Sequence, residues 1–242
     1  AGGVTTFNEY ALVSENRVVP LPVGVPLDIA VLFGCAVPTG AGIITNDINP
    51  IPGSSIAVFG LGGIGMSALM ATMLFQCDKV IAIDVSSNKL ALARSFGATH
   101  TIDASSSDPV SEIRALTDGL GVDYAVEASG QVKVIEQAFK SIRRGGGVCV
   151  FATHPEEGKT ISIDPYELIC GKQIRGSWGG SSNPDRDIPK FAKLYLQGKL
   201  PLDKLITKRY RLDDINQALD DLEQGRVGRP LIEIDPTVGD IT

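Results

Sequence analysis

The sequence predicts an α/β protein built on a doubly wound parallel sheet. Between residues 55 and 177, short apolar runs alternate regularly with stretches of helical periodicity. The apolar runs are nearly continuous, which is typical of strands in a parallel sheet that is covered on both faces. A glycine-rich turn, GLGGIG at residues 60–65, joins the first apolar run to the first helical stretch. Right-handed crossovers between such strands give the doubly wound arrangement.

The strands and helices of this region can be assigned in order. SIAVFG (55–60) predicts the first strand and IGMSALMATMLF (64–75) the first helix. Pro109 at the start of one later helix and Gly97 at the end of another occupy positions that these residues favour. The further predicted strands are 79–84, 99–103, 122–129, 147–153, a short strand within 161–169, and 172–178. The further predicted helices are 86–96, 108–117, 132–142 and a helical turn within 161–169.

The two flanks do not follow this alternation. Residues 6–21 predict two short antiparallel strands, FNEYALVS and RVVPLP, and residues 26–46 predict a largely helical segment that is interrupted near Pro38. In the C-terminal flank, apolar residues at helical spacing predict helices over 188–195 and 215–222. PLIEI predicts a last strand.

Composition and charge exclude several classes of partner. The 242 residues carry a net charge of −6, so the chain has no electrostatic footprint for nucleic acid or for an anionic membrane. The uncharged stretch 55–77 is long enough for a membrane span, but its glycine cluster favours a buried strand followed by a buried helix. Four separated cysteines without a C-x-x-C pair, and no signal peptide, predict a reduced, cytoplasmic protein.

The turn GLGGIG fits the pattern G-x-G-x-x-G at Gly60, Gly62 and Gly65. The first glycine permits a tight turn, the second admits a pyrophosphate, and the third lets the helix pack against the strand. The pyrophosphate then meets the free N–H groups at the helix N-terminus. The next predicted strand ends in Asp84, where a carboxylate accepts hydrogen bonds from a ribose and repels a 2′-phosphate. We therefore expect a Rossmann domain that binds NAD rather than NADP.

Three other interpretations of this motif remain open. The turn is a simple glycine-rich turn with a solvent-exposed acid after it, or it belongs to a methyltransferase or to a flavoprotein. Methyltransferases usually lack the third glycine, and flavoproteins usually carry the motif near the start of the chain. Both are therefore disfavoured here.

The order of several segments resembles the medium-chain dehydrogenase/reductase superfamily. These segments are EYALV, GCAVPTGAG, PGSSIAVFGLGGIG, SFGATHTID, GVDYAVEASG and GRPLIEI. Within the superfamily the chain is most similar to the zinc-dependent alcohol dehydrogenases, and the resemblance covers essentially the whole chain. It implies an NAD-binding Rossmann domain over 37–177, with remnants of a second, catalytic domain at 1–36 and 178–242.

The resemblance also implies roles for individual residues. Those expected at the cofactor are Leu61, Gly62, Gly63 and Ile64 in the pyrophosphate loop; Asp84 and Lys89 at the ribose; Ala128 and Ser129 near the adenosine; Ala152, Thr153 and His154 against the nicotinamide; Ser177 and Trp178 beside the nicotinamide and substrate; Thr39 on the nicotinamide ring as the catalytic residue; and Arg229 on the pyrophosphate.

Five of these assignments have structural alternatives. Lys89 and Arg229 could be solvated surface charges, and Thr39 could cap a helix. His154 is expected to neighbour the cofactor rather than act as a base, because nothing nearby in the sequence would orient it. Trp178 could belong to the core or to the pocket wall, and its place at a strand end favours the pocket.

Cys35, in the stretch GCAVPTGAG, matches the third zinc ligand of the resembled family. A catalytic zinc needs about three protein ligands, and the other ligands of the family have no counterpart in this sequence. The alternative for Cys35 is a buried structural cysteine. We therefore expect the chain to bind NAD without zinc and not to oxidise alcohols alone, as a fragment or a truncated product of an enzyme whose full-length form holds zinc.

The expected partners are NAD(H) and a small alcohol or aldehyde. Members of the resembled family associate through the sheet edge, and residues 161–178 predict that edge, so we expect a homodimer. Two other functions remain open. One is a stand-alone dinucleotide-binding module without turnover. The other is a zinc-independent quinone reductase, which Cys35 and Asp84 disfavour.

Overall fold

The computed structural model describes residues 6–234, which form two compact units. One unit spans Cys35–Ser182, and the other combines the described parts of residues 1–34 and 183–242. The α-helices are α1 (Leu27–Ala30), α2 (Ala36–Gly42), α3 (Gly63–Thr72), α4 (Ser87–Ser95), α5 (Pro109–Leu116), α6 (Val132–Ser141), α7 (Pro165–Ile169), α8 (Pro184–Leu196) and α9 (Ile215–Glu223). The strands are β1 (Ser55–Phe59), β2 (Lys79–Asp84), β3 (His100–Asp103), β4 (Tyr124–Glu127), β5 (Val148–Phe151), β6 (Gln173–Gly176), β7 (Lys208–Arg211) and β8 (Pro230–Glu233).

The 35–182 unit is built on a six-stranded parallel sheet in the order β3-β2-β1-β4-β5-β6. Val58 of β1 is paired with Ala82 on one side and with Val126 on the other. The strand order therefore reverses direction between β1 and β4, and the carboxyl ends of all six strands lie along one edge of the sheet. This confirms the predicted doubly wound α/β fold.

The uncharged stretch 55–77 divides into β1 and α3, as the glycine cluster predicted. Four of the five β1 residues are buried, and α3 is buried from Gly65 to Thr72. Among residues 6–234, no single helix is both long and apolar enough to cross a membrane. The bent pair of helical segments 27–34 and 36–48 meets that criterion only when the two are counted together, on length and composition alone.

Helix α2 approaches α3 backbone to backbone. A Cβ atom on Gly40 would lie 2.1 Å from the carbonyl oxygen of Ile64, so only glycine allows this approach. The predicted interruption of the helical segment lies at Cys35, three residues before Pro38. Cys35 has a non-helical backbone (φ −156°, ψ −69°), and Pro38 is tolerated in the first turn of α2 because its missing N–H is not needed there.

A π-helix over Ile43–Ile48 continues α2 and carries Asp47. The Asp47 carboxylate accepts hydrogen bonds from the hydroxyls of Ser177 (2.5 Å) and Ser181 (2.6 Å). The residues that follow β6 are thereby fixed to the end of this helix, which places Ser177 in a buried position.

The predicted short strand at the start of 161–169 is not formed. The sheet position beside β5 is taken by β6, so residues 161–164 have no ladder partner and run without regular structure. The helical turn within 161–169 is confirmed as α7. The Asp164 side chain begins it by accepting a hydrogen bond from the backbone N–H of Tyr166 (2.9 Å).

The second unit contains α8, α9 and the parallel pair β7–β8. The two predicted C-terminal helices and the last strand are confirmed, but β7 was not predicted because three of its four residues are basic. Its buried Tyr210 donates a hydrogen bond to the Asp221 carboxylate of α9 (2.6 Å). The prediction of two antiparallel strands in 6–21 is wrong. These residues are largely exposed, pair with no strand in the described part of the chain, and contain only the 3₁₀ turn Glu15–Arg17.

Candidate functional site

A cavity of about 350 Å³ opens at the carboxyl ends of the central strands, where the strand order reverses. This is the usual place for a ligand in an open α/β sheet, and the volume lies within the range of ligand pockets. The lining residues are Phe59, Gly60, Leu61, Gly62, Ile83, Asp84, Val85, Lys89, Ala104, Pro109, Ala128, Ser129, Gln131, Val134 and Gln137.

Each of the three motif glycines in the turn is explained by a different structural feature. Gly60 has a φ of +83°, and a Cβ there would lie 2.9 Å from the backbone nitrogen of Ser129. A Cβ on Gly65 would lie 1.8 Å from the carbonyl oxygen of Gly60, so the helix could not pack as it does. A Cβ on Gly62 would meet no atom of the described residues within 4 Å. The space above Gly62 is thus open to a ligand.

Gly62 is also the N-cap residue, immediately before the first residue of α3. The first N–H groups of a helix lack intrahelical partners, and the helix dipole adds partial positive charge there. The first turn, Gly63–Met66, carries no acidic side chain that would neutralise this charge. The loop therefore fits a phosphate group approaching over Gly62.

Asp84 both lines the cavity and supports the glycine loop. One carboxylate oxygen accepts a hydrogen bond from the backbone N–H of Leu61 (2.7 Å), and the other accepts from that of Ser86 (2.9 Å). Lys89 places its amine 3.9 Å from the same carboxylate. The structure thus brings together the two residues that the sequence assigned as a pair. The bond to Leu61 was not foreseen, because it depends on how the loop folds over β2.

Part of the cavity wall is apolar and was missed by sequence reasoning. Ile83 and Val85 flank Asp84, and Ala104, Pro109 and Val134 come from segments around β3, α5 and α6. Nothing in the local sequence marks these residues, because they resemble the core residues of any helix or strand. They share one wall because the strand order brings segments that are far apart in the sequence to the same edge of the sheet.

Glu127, at the carboxyl end of β4, is the most conspicuous residue that the sequence analysis missed. Its side chain is fully buried, with 0% exposure, and accepts four hydrogen bonds from Ser129, Gly130 and Thr153. Burial raises the pKa of this carboxyl group, although the hydrogen bonds act in the opposite direction. A single acid inside an otherwise apolar strand was the available signal.

The residues after β5 occupy the neighbouring strand end. The Thr153 hydroxyl donates to Glu127 (3.2 Å), and the backbone N–H of Ala152 donates to the Glu127 carbonyl (3.3 Å). His154 is exposed, and its ring Nδ1 lies 3.0 Å from the carbonyl oxygen of Pro155. Of the two predicted strand-end groups, Ala128 and Ser129 line the cavity, whereas residues 152–154 stand beside it.

The remaining predicted residues of this unit lie around α2 and β6. Thr39 is buried within α2 and donates its backbone N–H to the Cys35 carbonyl (3.0 Å), so the alternative that Thr39 caps a helix is wrong. Trp178 follows β6 and is 95% exposed, which rules out a core position. Arg229 belongs to the other unit, where its backbone N–H donates to the hydroxyl of Thr207 (3.0 Å). Its role at a pyrophosphate stays a prediction.

Residues 63–197, more than half of the chain, match the family model described as zinc-binding dehydrogenase. The chain belongs to the zinc-binding dehydrogenase family. It is 34% identical to alcohol dehydrogenase class-3 of Myxine glutinosa over 234 residues and 32% identical to alcohol dehydrogenase 1 of Trifolium repens over 235. Both alignments cover 96% of this chain and 62% of the relative.

A solved structure agrees with these relatives. Benzyl alcohol dehydrogenase from Acinetobacter calcoaceticus superposes with a TM-score of 0.89 at 36% identity, over 93% of this chain and 62% of that one. This zinc-binding dehydrogenase chain therefore spans somewhat less than two thirds of the length of the relatives it matches.

In this zinc-binding dehydrogenase chain, Cys35 is exposed and occupies the position just before α2, so the alternative of a buried structural cysteine is wrong. A zinc site needs about three protein ligands. Residues 6–234 contain no cluster of three or more His, Cys, Asp or Glu side chains that could hold a metal ion. The described residues therefore do not complete a zinc site on their own.

Proposed function

We propose that this chain binds NAD(H) and forms the cofactor-holding part of an alcohol dehydrogenase, which interconverts an alcohol and an aldehyde. The observation that carries the proposal is the open space above Gly62 at the N-terminus of α3, with Asp84 beside it. NAD, when bound, supplies the hydride chemistry, and the protein supplies binding and orientation.

The cavity accounts for the adenosine half of the cofactor. The glycine loop 60–65 holds the pyrophosphate, and the wall around Ile83 and Val134 receives the adenine. Asp84 and Lys89 bind the ribose. A carboxylate offers about four lone-pair sites, so Asp84 retains acceptor capacity after its two backbone bonds.

The nicotinamide half extends toward the neighbouring strand ends. Residues 152–154 and Ser177 lie at the carboxyl ends of β5 and β6. Thr39, in α2, faces the ring in this proposal, with Trp178 beside the substrate and Arg229 on the pyrophosphate. These positions rest on the resemblance to alcohol dehydrogenases.

The choice of NAD over NADP rests on Asp84, because its carboxylate repels a 2′-phosphate. Fluorescence titration with NADH and NADPH tests both parts of the proposal. We expect NADH to bind at least about tenfold more tightly, which corresponds to about 1.4 kcal/mol. Equal or reversed affinities would remove Asp84 from this role, and the absence of binding of either nucleotide would refute the proposed function.

We further propose that Cys35 is one ligand of a zinc ion whose other ligands lie outside residues 6–234. The described residues then bind NADH but do not oxidise alcohols on their own. Metal analysis by mass spectrometry, with Cys35→Ser as control, tests this. One tightly held zinc per chain that survives dialysis would overturn it.

A stand-alone dinucleotide-binding module is the second candidate function, and the incomplete metal site is the observation that favours it. Turnover of an alcohol by the complete gene product distinguishes an enzyme from such a module. The quinone reductase alternative predicts NADPH preference, so the same titration addresses it.

We also propose that two copies associate along β6. Within residues 6–234 this strand has a ladder partner on one side only. The nearby Ile169 is 80% exposed, as expected for an apolar surface that a second copy covers. Light scattering at high concentration tests the dimer, and a monomer would count against it.

A further inference from the structure

Glu127 carries a role that the cofactor cavity alone does not explain. It ends β4, the strand next to the point where the strand order reverses, and it is 0% exposed. Burying a carboxylate is costly unless hydrogen bonds compensate the lost hydration. The hydrogen-bond partners of this buried carboxylate lie in two loops.

Its first oxygen, Oε1, holds the loop that follows β4. It accepts from the backbone N–H and the hydroxyl of Ser129 (2.7 and 2.5 Å) and from the backbone N–H of Gly130 (3.0 Å). Ser129 in turn lines the cavity. This oxygen therefore fixes a piece of the cavity wall.

Its second oxygen, Oε2, reaches the loop of the adjacent strand. It accepts a hydrogen bond from the hydroxyl of Thr153 (3.2 Å), which follows β5. The two loops also approach closely at this point. Gly130 has a φ of +74°, and a Cβ there would lie 3.3 Å from the carbonyl oxygen of His154. One carboxylate thus joins the loops 128–130 and 152–154.

We infer that Glu127 is a positioning residue that fixes the loop at the adenosine end of the cofactor site relative to the loop at its nicotinamide end. This inference rests on the proposed NAD binding for the identity of the two ends. The bridge itself consists of four hydrogen bonds within the protein. It sets the distance between Ser129 and Thr153, so that one bound dinucleotide can contact both loops.

The test uses Thr153→Val, which removes the donor to Oε2 and keeps nearly the same shape, with Thr153→Ser as the matched control that keeps the hydroxyl. Amide hydrogen exchange of the ligand-free protein is the first measurement. We expect Thr153→Val to raise exchange at least about fivefold in 152–154, with Thr153→Ser close to wild type and β1 unchanged. An unchanged loop, or an equal increase in β1, would overturn the inference.

Nucleotide binding is the second measurement. Thr153→Val is expected to weaken NADH about fivefold or more and to leave AMP, which lacks the nicotinamide, within twofold of wild type. Equal losses for both ligands, or none for NADH, would overturn the inference. Failure of the wild-type protein to bind NADH would instead refute the proposed function and leave the hydrogen-exchange result standing.

Glu127 variants give a third, independent measurement. In Glu127→Gln the amide oxygen can accept the Ser129 and Gly130 bonds while the amide nitrogen donates to the Thr153 hydroxyl, so we expect loop exchange near wild type. In Glu127→Leu no bridge remains, and adding Thr153→Val is expected to change NADH affinity less than twofold further. Additive losses would overturn the coupling. If Glu127→Leu does not fold, the Thr153 pair decides.

Discussion

Replacing Gly62 with alanine separates ligand binding from folding in the glycine loop. Gly62 has a φ of −78°, which alanine adopts freely, and its Cβ would meet no atom of the described residues within 4 Å. We therefore expect the free energy of unfolding to change by less than about 0.5 kcal/mol. The new methyl group, however, occupies the space that a pyrophosphate needs over the first turn of α3. NADH affinity should fall at least about tenfold, or about 1.4 kcal/mol.

Gly65→Ala is the matched comparison, and its expected effect has a different physical cause. Its Cβ would lie 1.8 Å from a backbone oxygen that cannot rotate aside. Helix α3 must move away from β1. Overpacking of this kind costs typically about 1–3 kcal/mol of stability. Here both stability and NADH affinity should fall.

Urea unfolding followed by circular dichroism gives the stabilities, and NADH fluorescence gives the affinities. Each of the two variants has an outcome that would contradict its prediction. A stable Gly62→Ala protein that binds NADH like wild type would show that no phosphate lies over this loop. A Gly65→Ala protein as stable as wild type would show that the close packing of α3 on the loop is not a constraint.

Three further predictions follow from charge and exposure. The Arg144 and Lys172 side chains hold the pKa of Glu167 at about 2, so the stability it contributes is present above its ordinary pKa of 4.5 and is lost as the pH falls from there through about 2. Glu167→Gln should flatten this loss in urea unfolding, and the ion pair with Arg144 accounts for about 1 kcal/mol of it at most because Arg144 is largely exposed. Exposed Cys35 should react with a thiol reagent in the folded protein, whereas Cys149, whose pKa burial raises, should react only after unfolding. Ile169→Lys should convert the proposed dimer to a monomer in light scattering and leave the monomer folded.

Each of these predictions has a contrary outcome. If the free energy of unfolding falls with decreasing pH equally in wild type and in Glu167→Gln, the ion pairs of Glu167 contribute nothing to stability. Labelling of Cys149 at the rate of Cys35 would contradict the burial of β5. A dimer that tolerates lysine at position 169 would place the interface elsewhere, and Leu168→Lys on the same helix serves as a second probe.

Local features of the sequence predicted the parts of the fold that depend on neighbours along the chain. The strands and helices of 55–153 follow from the local pattern of apolar residues. The need for glycine at positions 60 and 65 follows from the spacing of the glycines within the loop. The prediction of strands in 6–21 was wrong because strand formation depends on residues that are distant in the sequence. Alternating apolar residues indicate a strand only if another strand lies beside them, and a local pattern carries no information about that.

The same limit explains which site residues were missed. Asp84 could be assigned because it ends the strand after the glycine loop, but its bond to Leu61 depends on the folded loop. Glu127 acquires its bridging position only because β5 lies beside β4, which places Thr153 within reach. Val134 lines the cavity only because of the strand order. These relations are set by tertiary contacts, so no short motif records them.

The glycine contacts of α2 have a mechanical consequence. Gly40 brings the backbone of α2 against that of α3, and at Gly180 an added Cβ would lie 2.3 Å from the carbonyl oxygen of Thr39. At both contacts the nearest atom is a backbone oxygen, so main-chain packing fixes the spacing of α2 from its neighbours. The positions of α3, α2 and the turn 179–181 are therefore set together, with little room for one of them to move without the others.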